Sequence, residues 1–440
     1  MSPGRRPQTG RACDFDKSGW RVDYPAGMGL ELRWVGESDY DRVAQTRLRC
    51  YAPSVDLLAH YQRGIRADRR GRPGDFLLAE RAGEAVGTST SLSLAIWMRG
   101  ARLRCQGVAF VGTIKTARRL GGGEEAGVAT QLMRETLRMA REREEPISAL
   151  MPFRASYYEH FGYGNAERRV DWTVPIGLLP RGDFEGFRFF SPEDRSAMLA
   201  ARQRECEAGQ CDVETSPEAF DYWAEHYWPE GMTVVDASGE GGAARGWVYF
   251  NDQRDASTAT LVVNDWCADS PATLRRILHL LASLKDQYSF VRITLPVDVP
   301  LNRLLKESQI PHRQVDHPVS AAKPYTRMQI RILDHKRALE AMRLPAWARG
   351  KATIAVHECE GSVSRFTLDV SEGRASVTPA THTSADLELS DVLWASLVSG
   401  DLPAGQAARL GLLPSATSAA TVSLLEAFAV GPAPFCQEYF

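Results

Sequence analysis

The chain has 440 residues, 44% of them apolar and 25% charged, with 53 Lys+Arg against 55 Asp+Glu for a formal net charge of -2. That profile excludes disordered and collagen-like classes, and the length suits two to four domains that each bury a core. With both charge signs interspersed there is no long-range field to gather a polyanion, so nucleic acid is not expected as a partner; no apolar stretch reaches the roughly 18 residues of a membrane span.

Residues 1–29 are rich in Gly, Pro and Arg, show no periodicity and read as a flexible tail without the apolar core of a secretory signal. From Leu30 the pattern becomes regular. LELRWV alternates like a strand, DYDRVAQTRLRCYA has helical spacing, and FLLAERAGEAVGTSTSLSLAIWM reads as two strands joined at Ala82-Gly83-Glu84. The arginine-rich run RADRRGRPGD ahead of that hairpin reads as a solvated loop. Then come a strand in CQGVAFVGTI, a glycine-rich turn, a helix with Ala129, Leu132, Met133, Leu137 and Ala140 on one face, and a strand in PISALMPF. This order predicts an α+β, mixed-sheet domain over residues 30–178.

Over residues 179–326 the layout partly recurs, with strands in RGWVYF, ATLVVNDW and FVRITLP around the helical PATLRRILHLLASLKDQY. Its strand-to-helix junction, NDWCADSPATL, has no glycine-rich turn. Residues 327–440 form a third unit of short strands (ATIAVHE, SRFTLDV, ASVTP, ADLELS) and two helical stretches. The end, GPAPFCQEYF, is apolar and aromatic and is expected to pack against the protein. The eight cysteines have neither the density of a disulfide framework nor CxxC spacing. Reduced thiols in a cytoplasmic protein are expected, and no metal site, Cys206 and Cys211 included.

Three features carry chemistry. Arg118-Arg119-Leu120-Gly121-Gly122-Gly123 lies between a strand and a helix, where glycine backbone and a helix N-terminus together suit an anion such as pyrophosphate. The same residues also suit a plain turn. The second is the aromatic block from Met151 to Gly164, which reads equally as core and turn. The third is the free carboxylate of Phe440.

Together GVAFVGTIKTARR (Gly107 to Arg119), PISALMPFRASYYEHFGYG and the closing APFCQEYF resemble the Eis (enhanced intracellular survival) group of GNAT N-acetyltransferases over nearly the whole chain. The resemblance implies tandem GNAT-like mixed-sheet domains, the second without the cofactor motif, followed by a sterol-carrier-protein-like domain. It implies acetyl-CoA as co-substrate, no metal, a primary amine as acceptor (aminoglycoside, polyamine or lysine side chain) and a homo-hexamer. Main-chain contacts to the acetyl and pantetheine groups fall on Val111 and Thr113, and the pyrophosphate loop on Arg118, Gly121 and Gly123, with Arg119 beside them. The general acid falls on Tyr158 and the general base on the carboxylate of Phe440. One departure stands out. GGGEEAGVATQLM separates two candidate phosphate segments, so Gly127, Val128 and Ala129 compete with the earlier glycines, and Glu124 and Glu125 between them would repel phosphate. Glu159 and His160 replace the family's commoner Gly-Arg pair.

The implied reaction, aminolysis of a thioester, needs a base because an alkylamine with a pKa near 10.4 is free at neutral pH in only about one molecule per thousand. A chain-end carboxylate, ordinarily near 3.5, gains basicity when buried among aromatic residues. It could equally attract the ammonium group while water takes the proton. A tyrosine near 10 can protonate a departing thiolate near 8.5. The scattered His60, His226, His279 and His312 are not expected in catalysis, and Trp223, Trp228 and Trp247 read as core or interface. Two rivals are a lipid or sterol carrier working through the third unit and a CoA-binding regulator without turnover.

Overall fold

The computed structural model describes residues 29–118, 126–226, 228, 231–255, 258–308, 319–380 and 384–440. The tail at 1–28 lies outside them, as do Arg119, Gly121, Gly123, Glu124, Glu125 and His312.

The first unit opens with β1 (Glu31–Val35), α1 (Tyr40–Tyr51) and α2 (Leu58–Ala67), followed by β2 (Phe76–Arg81), β3 (Glu84–Met98) and β4 (Ala101–Thr113). Ala82 and Gly83, with φ of 52° and 77°, close the β2–β3 hairpin with the paired left-handed residues that match strand twist. β2 is buried on both faces. Phe76 and Leu78 pack with α1 and α2, while Leu77 and Ala79 meet α3 (Val128–Glu142). That helix returns the chain to β5 (Ile147–Leu150), parallel to β4, and is followed by α4 (Ala155–Glu159) and β6 (Gly164–Asn165). The buried stripe of α3 is Val128, Leu132, Met133, Thr136, Leu137 and Ala140. Ala129, expected on that stripe, is only half-buried.

The second unit comprises β7 (Arg169–Pro175), β8 (Phe187–Phe189), α5 (Arg195–Ala208), β9 (Asp212–Val213), α6 (Pro217–His226), β10 (Met232–Asp236), β11 (Gly246–Arg254), β12 (Ala259–Ala268), α7 (Pro271–Ser283), β13 (Phe290–Pro296) and β14 (Ala321–Tyr325). Its sheet order is β14-β7-β13-β12-β11-β10-β8. As in the first unit, antiparallel strands lead to one parallel pair, β12 with β13, across a single helix. The two helices start differently. Ser270 caps α7 by accepting from the Thr273 amide, with Pro271 at its first position, whereas Gly127 before α3 supplies no side-chain cap.

The chain then inserts β15 (Gln329–Ile332) into the first sheet, whose order is β1-β2-β3-β4-β5-β15-β6 with β9 on the flank of β3. The third unit follows with α8 (His335–Ala341), β16 (Gly350–His357), β17 (Val363–Ser371), β18 (Arg374–Pro379), β19 (Leu387–Ser390), α9 (Asp391–Ser399), α10 (Ala404–Arg409) and α11 (Ala419–Glu426). One continuous core joins Ile96, Cys105, Ile147 and Ile330 of the first sheet to Trp394, Phe428, Cys436 and Phe440. Shared burial on this scale holds the third unit against the first.

Candidate active site

β4 and β5 pair only from Cys105–Ile147 to Val108–Leu150. Beyond Val108 that edge of β4 carries no ladder. On its other edge the register with β3 shifts between Thr88 and Thr90, which sets Phe110 and Val111 against the single residue Ser89. Phe110 has φ of 50°, the signature of a bulge that re-aims the strand. Around Val111 the β5-facing edge of β4 is therefore unladdered where the two parallel strands separate. Thr113, by contrast, pairs with Gly87. Across the opening, α3 begins at Val128 with Gly127 before it, no side-chain cap and no acidic residue in its first turn. A Cβ built on Gly127 would meet nothing within 4 Å. Uncapped amides beside an unladdered strand edge fit a pantetheine chain ending in a pyrophosphate. Of the two candidate phosphate segments, Gly127, Val128 and Ala129 form that helix start, and Arg118 is exposed at the end of the turn after β4.

A cavity of about 430 Å³ adjoins this edge, and Val108, Ala109, Phe110, Val111, Tyr158 and Phe440 all line it. Tyr158 and Phe440, 282 positions apart in sequence, thus share one space. Tyr158, on the short α4, is 5% exposed and packs edge-on against Tyr157, Phe153 and Tyr163 at 5.0, 6.0 and 6.2 Å. Burial pushes its phenol pKa well above the usual value, so it is protonated at neutral pH. Its hydroxyl takes no hydrogen bond among the described residues.

The last residues run between the units without regular structure. Phe435 donates its amide to the Gln210 carbonyl and stacks on Trp266 at 6.1 Å. The Cys436 amide donates to Glu167 at 2.9 Å and the Gln437 amide to Asp212 at 3.0 Å. Glu438 accepts from Arg70, Thr215 and Trp223 at 2.6, 2.7 and 3.2 Å, and Arg70 also donates to the Tyr439 carbonyl at 2.7 Å. Phe440 itself is 9% exposed, and a Cβ on Gly107 would come within 3.0 Å of its ring. Only a glycine lets the ring lie so close to β4.

The expectation of a solvated arginine-rich run holds at Arg66, Arg69 and Arg72, which are exposed, and is corrected at Arg70. Arg70 is buried, because the tail brings it a carboxylate and a carbonyl, and Asp68 chelates its other nitrogens at 2.8 and 2.7 Å. His60 lines the cavity; His226 packs on Tyr222, and His279 bonds the Asp183 carbonyl. A second cavity of about 340 Å³ shares Trp223 and Tyr439 with the first and adds Trp228, Trp247 and Asp265. Cys206 and Cys211 are buried and free, each directing its sulfur to a main-chain carbonyl.

Arg47 was not legible as a site residue. It lies on α1, is buried, donates one hydrogen bond to Thr90 Oγ1 at 2.8 Å and places its guanidinium 3.7 Å over the Phe110 ring. Burial pulls its pKa down to about 10, still protonated at neutral pH. The signal was present in the sequence: Val43, Arg47 and Cys50 share one helical stripe, and an arginine on an otherwise apolar stripe needs a reason.

Family models match this architecture unit by unit. Residues 31–166 and 216–332 each match an Acetyltransferase (GNAT) domain, and residues 335–437 a Sterol carrier protein domain. The chain thus carries two acetyltransferase (GNAT) domains. It is an acyltransferase with tandem GNAT domains and a third, sterol-carrier-like domain, the plan expected of the Eis group. An N-acetyltransferase of Streptomyces griseus is 27% identical over 444 residues, covering 94% of this chain and all of that one. Another from Streptomyces avermitilis is 28% identical over 312 residues, covering 65% of this chain and 70% of that one. The same fold occurs in a GCN5-related N-acetyltransferase of Anabaena variabilis (TM-score 0.77, 18% identity) and in Eis1 of Mycobacterium abscessus (TM-score 0.75, 20% identity). Each comparison covers 94% of this chain and 100% of the other. GNAT domains imply acetyl-CoA as co-substrate. No helix among the described residues is long and apolar enough to cross a membrane.

Proposed function

We propose that this enzyme transfers an acetyl group from acetyl-CoA to an amine, with the Phe440 carboxylate as proton acceptor and Tyr158 as proton donor. One observation carries the reading: the chain terminus and the Tyr158 ring line a single cavity beside the unladdered stretch of β4. Acetyl-CoA, when bound, supplies an activated acetyl thioester. Val111, with Thr113 further along β4, would hold its acetyl and pantetheine portions through the main chain. Gly127, Val128 and Ala129 at the start of α3 would meet its phosphates, with Arg118, Arg119, Gly121 and Gly123 as the alternative segment.

The terminal carboxylate draws the acceptor's ammonium group into the cavity and takes the proton that the nitrogen loses as the C–N bond forms. Tyr158 gives its proton to sulfur as the C–S bond breaks. A phenol held protonated by burial is always loaded for that transfer. The main-chain N–H of Val111 would support charge developing on the acetyl oxygen. Each proton-transfer group would contribute about 10²- to 10⁴-fold. Acceptors of aminoglycoside, polyamine or lysine type share the amine this chemistry needs. A cytoplasmic homo-hexamer is part of the same proposal, by likeness to the Eis group.

The test is thiol release from acetyl-CoA with a panel of amines. Amine-dependent release supports the reading. No release with any amine, together with tight fatty-acyl binding, would transfer the assignment to a lipid carrier.

A further inference from the structure

The residues lining the 430 Å³ cavity that carry a permanent charge are Arg47, Asp68, Arg70 and the chain-terminal Phe440. Arg70 is shared between Asp68 and Glu438, and the charge of Asp68 also reaches Arg47 without an ion pair. Arg47 and the chain terminus have no ion-pair partner among the described residues. Arg47 is 4% exposed, its Nε is buried without any partner, and its one hydrogen bond goes to a neutral hydroxyl. A buried cation that makes no ion pair is costly unless something else is meant to meet it.

A ring face stabilises a guanidinium but does not neutralise it. Phe110 at 3.7 Å and Phe76 at 5.4 Å present ring faces to the guanidinium. They leave the edge, where a planar fork grips a carboxylate, with donors to spare. The cavity thus offers one anion and one cation, neither in an ion pair among the described residues, in an aromatic wall that includes Tyr51, Tyr61, Phe153 and Trp223.

We propose that the acceptor is an amine that also carries a carboxylate, as a free amino acid does, and that Arg47 is the specificity-determining residue that binds this second group. The inference rests on the acetyltransferase reading above. The ammonium end pairs with the Phe440 terminus, the carboxylate end with Arg47, and an apolar or aromatic side chain fills the wall.

The experiment compares L-phenylalanine, its methyl ester and 2-phenylethylamine as acceptors, by thiol release from acetyl-CoA, in the native enzyme and in Arg47→Gln. A charge-assisted hydrogen-bond pair corresponds to about 10- to 100-fold. The native enzyme should prefer the acid over the other two by that factor in kcat/KM, and Arg47→Gln should bring the ratio close to one. Equal use of all three, or a variant that lowers all three alike, would overturn the proposal and leave the acetyltransferase reading standing. Calorimetric titration of L-phenylalanine into both proteins gives a readout independent of turnover, with binding expected to weaken by the same factor. Should no acceptor release thiol while the titration still depends on Arg47, the acetyl-transfer reading fails and the carboxylate site survives. If Arg47→Gln does not fold, Arg47→Lys, which keeps the charge and loses the fork, should give an intermediate ratio.

Discussion

Arg70 and Glu438, 368 positions apart, form an ion pair of 2.6 Å with side chains only 6% and 3% exposed. The same arginine Nη1 holds the Tyr439 carbonyl, so one guanidinium fixes the two residues that precede the chain terminus. Breaking a buried pair by removing one partner leaves a desolvated charge behind, at about 3–5 kcal/mol. The local escape here is release of the tail. Arg70→Met is therefore expected to destabilise the fold by no more than that amount, to cut acetyl transfer strongly and to leave acetyl-CoA affinity within about twofold. Urea unfolding, thiol release and cofactor titration on one preparation check all three, and unchanged turnover would show that the tail needs no such anchor.

Extending the chain beyond Phe440 tests the terminus itself. The ring is packed against β4 and Leu94 lies against Gly107 beside it, so added residues cannot continue straight without displacing the carboxylate. Two appended residues should lower turnover by about 10²-fold or more, the usual contribution of one proton-transfer group, with acetyl-CoA binding preserved. The comparison uses native-end and extended enzyme with the same amine. Full activity in the extended form would remove Phe440 from the mechanism.

Tyr158→Phe should lower kcat by about 10²- to 10⁴-fold while keeping the fold, since Tyr157, Phe153 and Tyr163 pack the ring and not the hydroxyl. The pH dependence has a definite sign. A proton donor fails when it loses its proton, and burial moves that loss above the phenol's ordinary pKa near 10. No decline in rate attributable to Tyr158 is expected up to about pH 10. A falling limb below pH 9 that disappears in Tyr158→Phe would contradict the raised phenol.

Much of this architecture was legible because it follows from period and punctuation. The β2–β3 hairpin was marked by alternating apolar residues around Ala82-Gly83, and α3 and α7 by their apolar stripes. The packing of the last ten residues followed from their aromatic content. What the sequence concealed depends on contacts between distant segments. Arg70 sits in a run with the composition of a surface loop, and only the tail, which arrives from the far end of the chain, turns it into a buried anchor. The strand at Gln329–Ile332 has no local sign that it leaves its neighbours to complete the first sheet between β5 and β6. Arg47 was hidden for a different reason: helical spacing places it on the buried face, but the ring of Phe110 that covers it depends on a bulge in β4.

Glu205 makes the tail's surroundings sensitive to pH. It lies 3.1 Å from Arg202, accepts from the Ala268 amide and from Gln437 Nε2, and competes with Asp212 for the same guanidinium. Burial, helped by the charge of Asp212, raises its pKa from 4.5 to about 7. A carboxyl whose pKa is higher when folded binds a proton in the native state that the unfolded chain has already released. Its contribution to stability is therefore present at low pH, declines as pH rises from the unfolded value near 4.5, and levels off above about 7. Glu205→Gln keeps the shape and removes the titration. The native enzyme's Tm minus that of the variant should fall between pH 5 and pH 7 and flatten by pH 8, whatever the other carboxylates do, because they are common to both proteins. A difference that stays constant over that range, or rises, would show that Glu205 is held as a charged partner of Arg202 and does not gain a proton on folding.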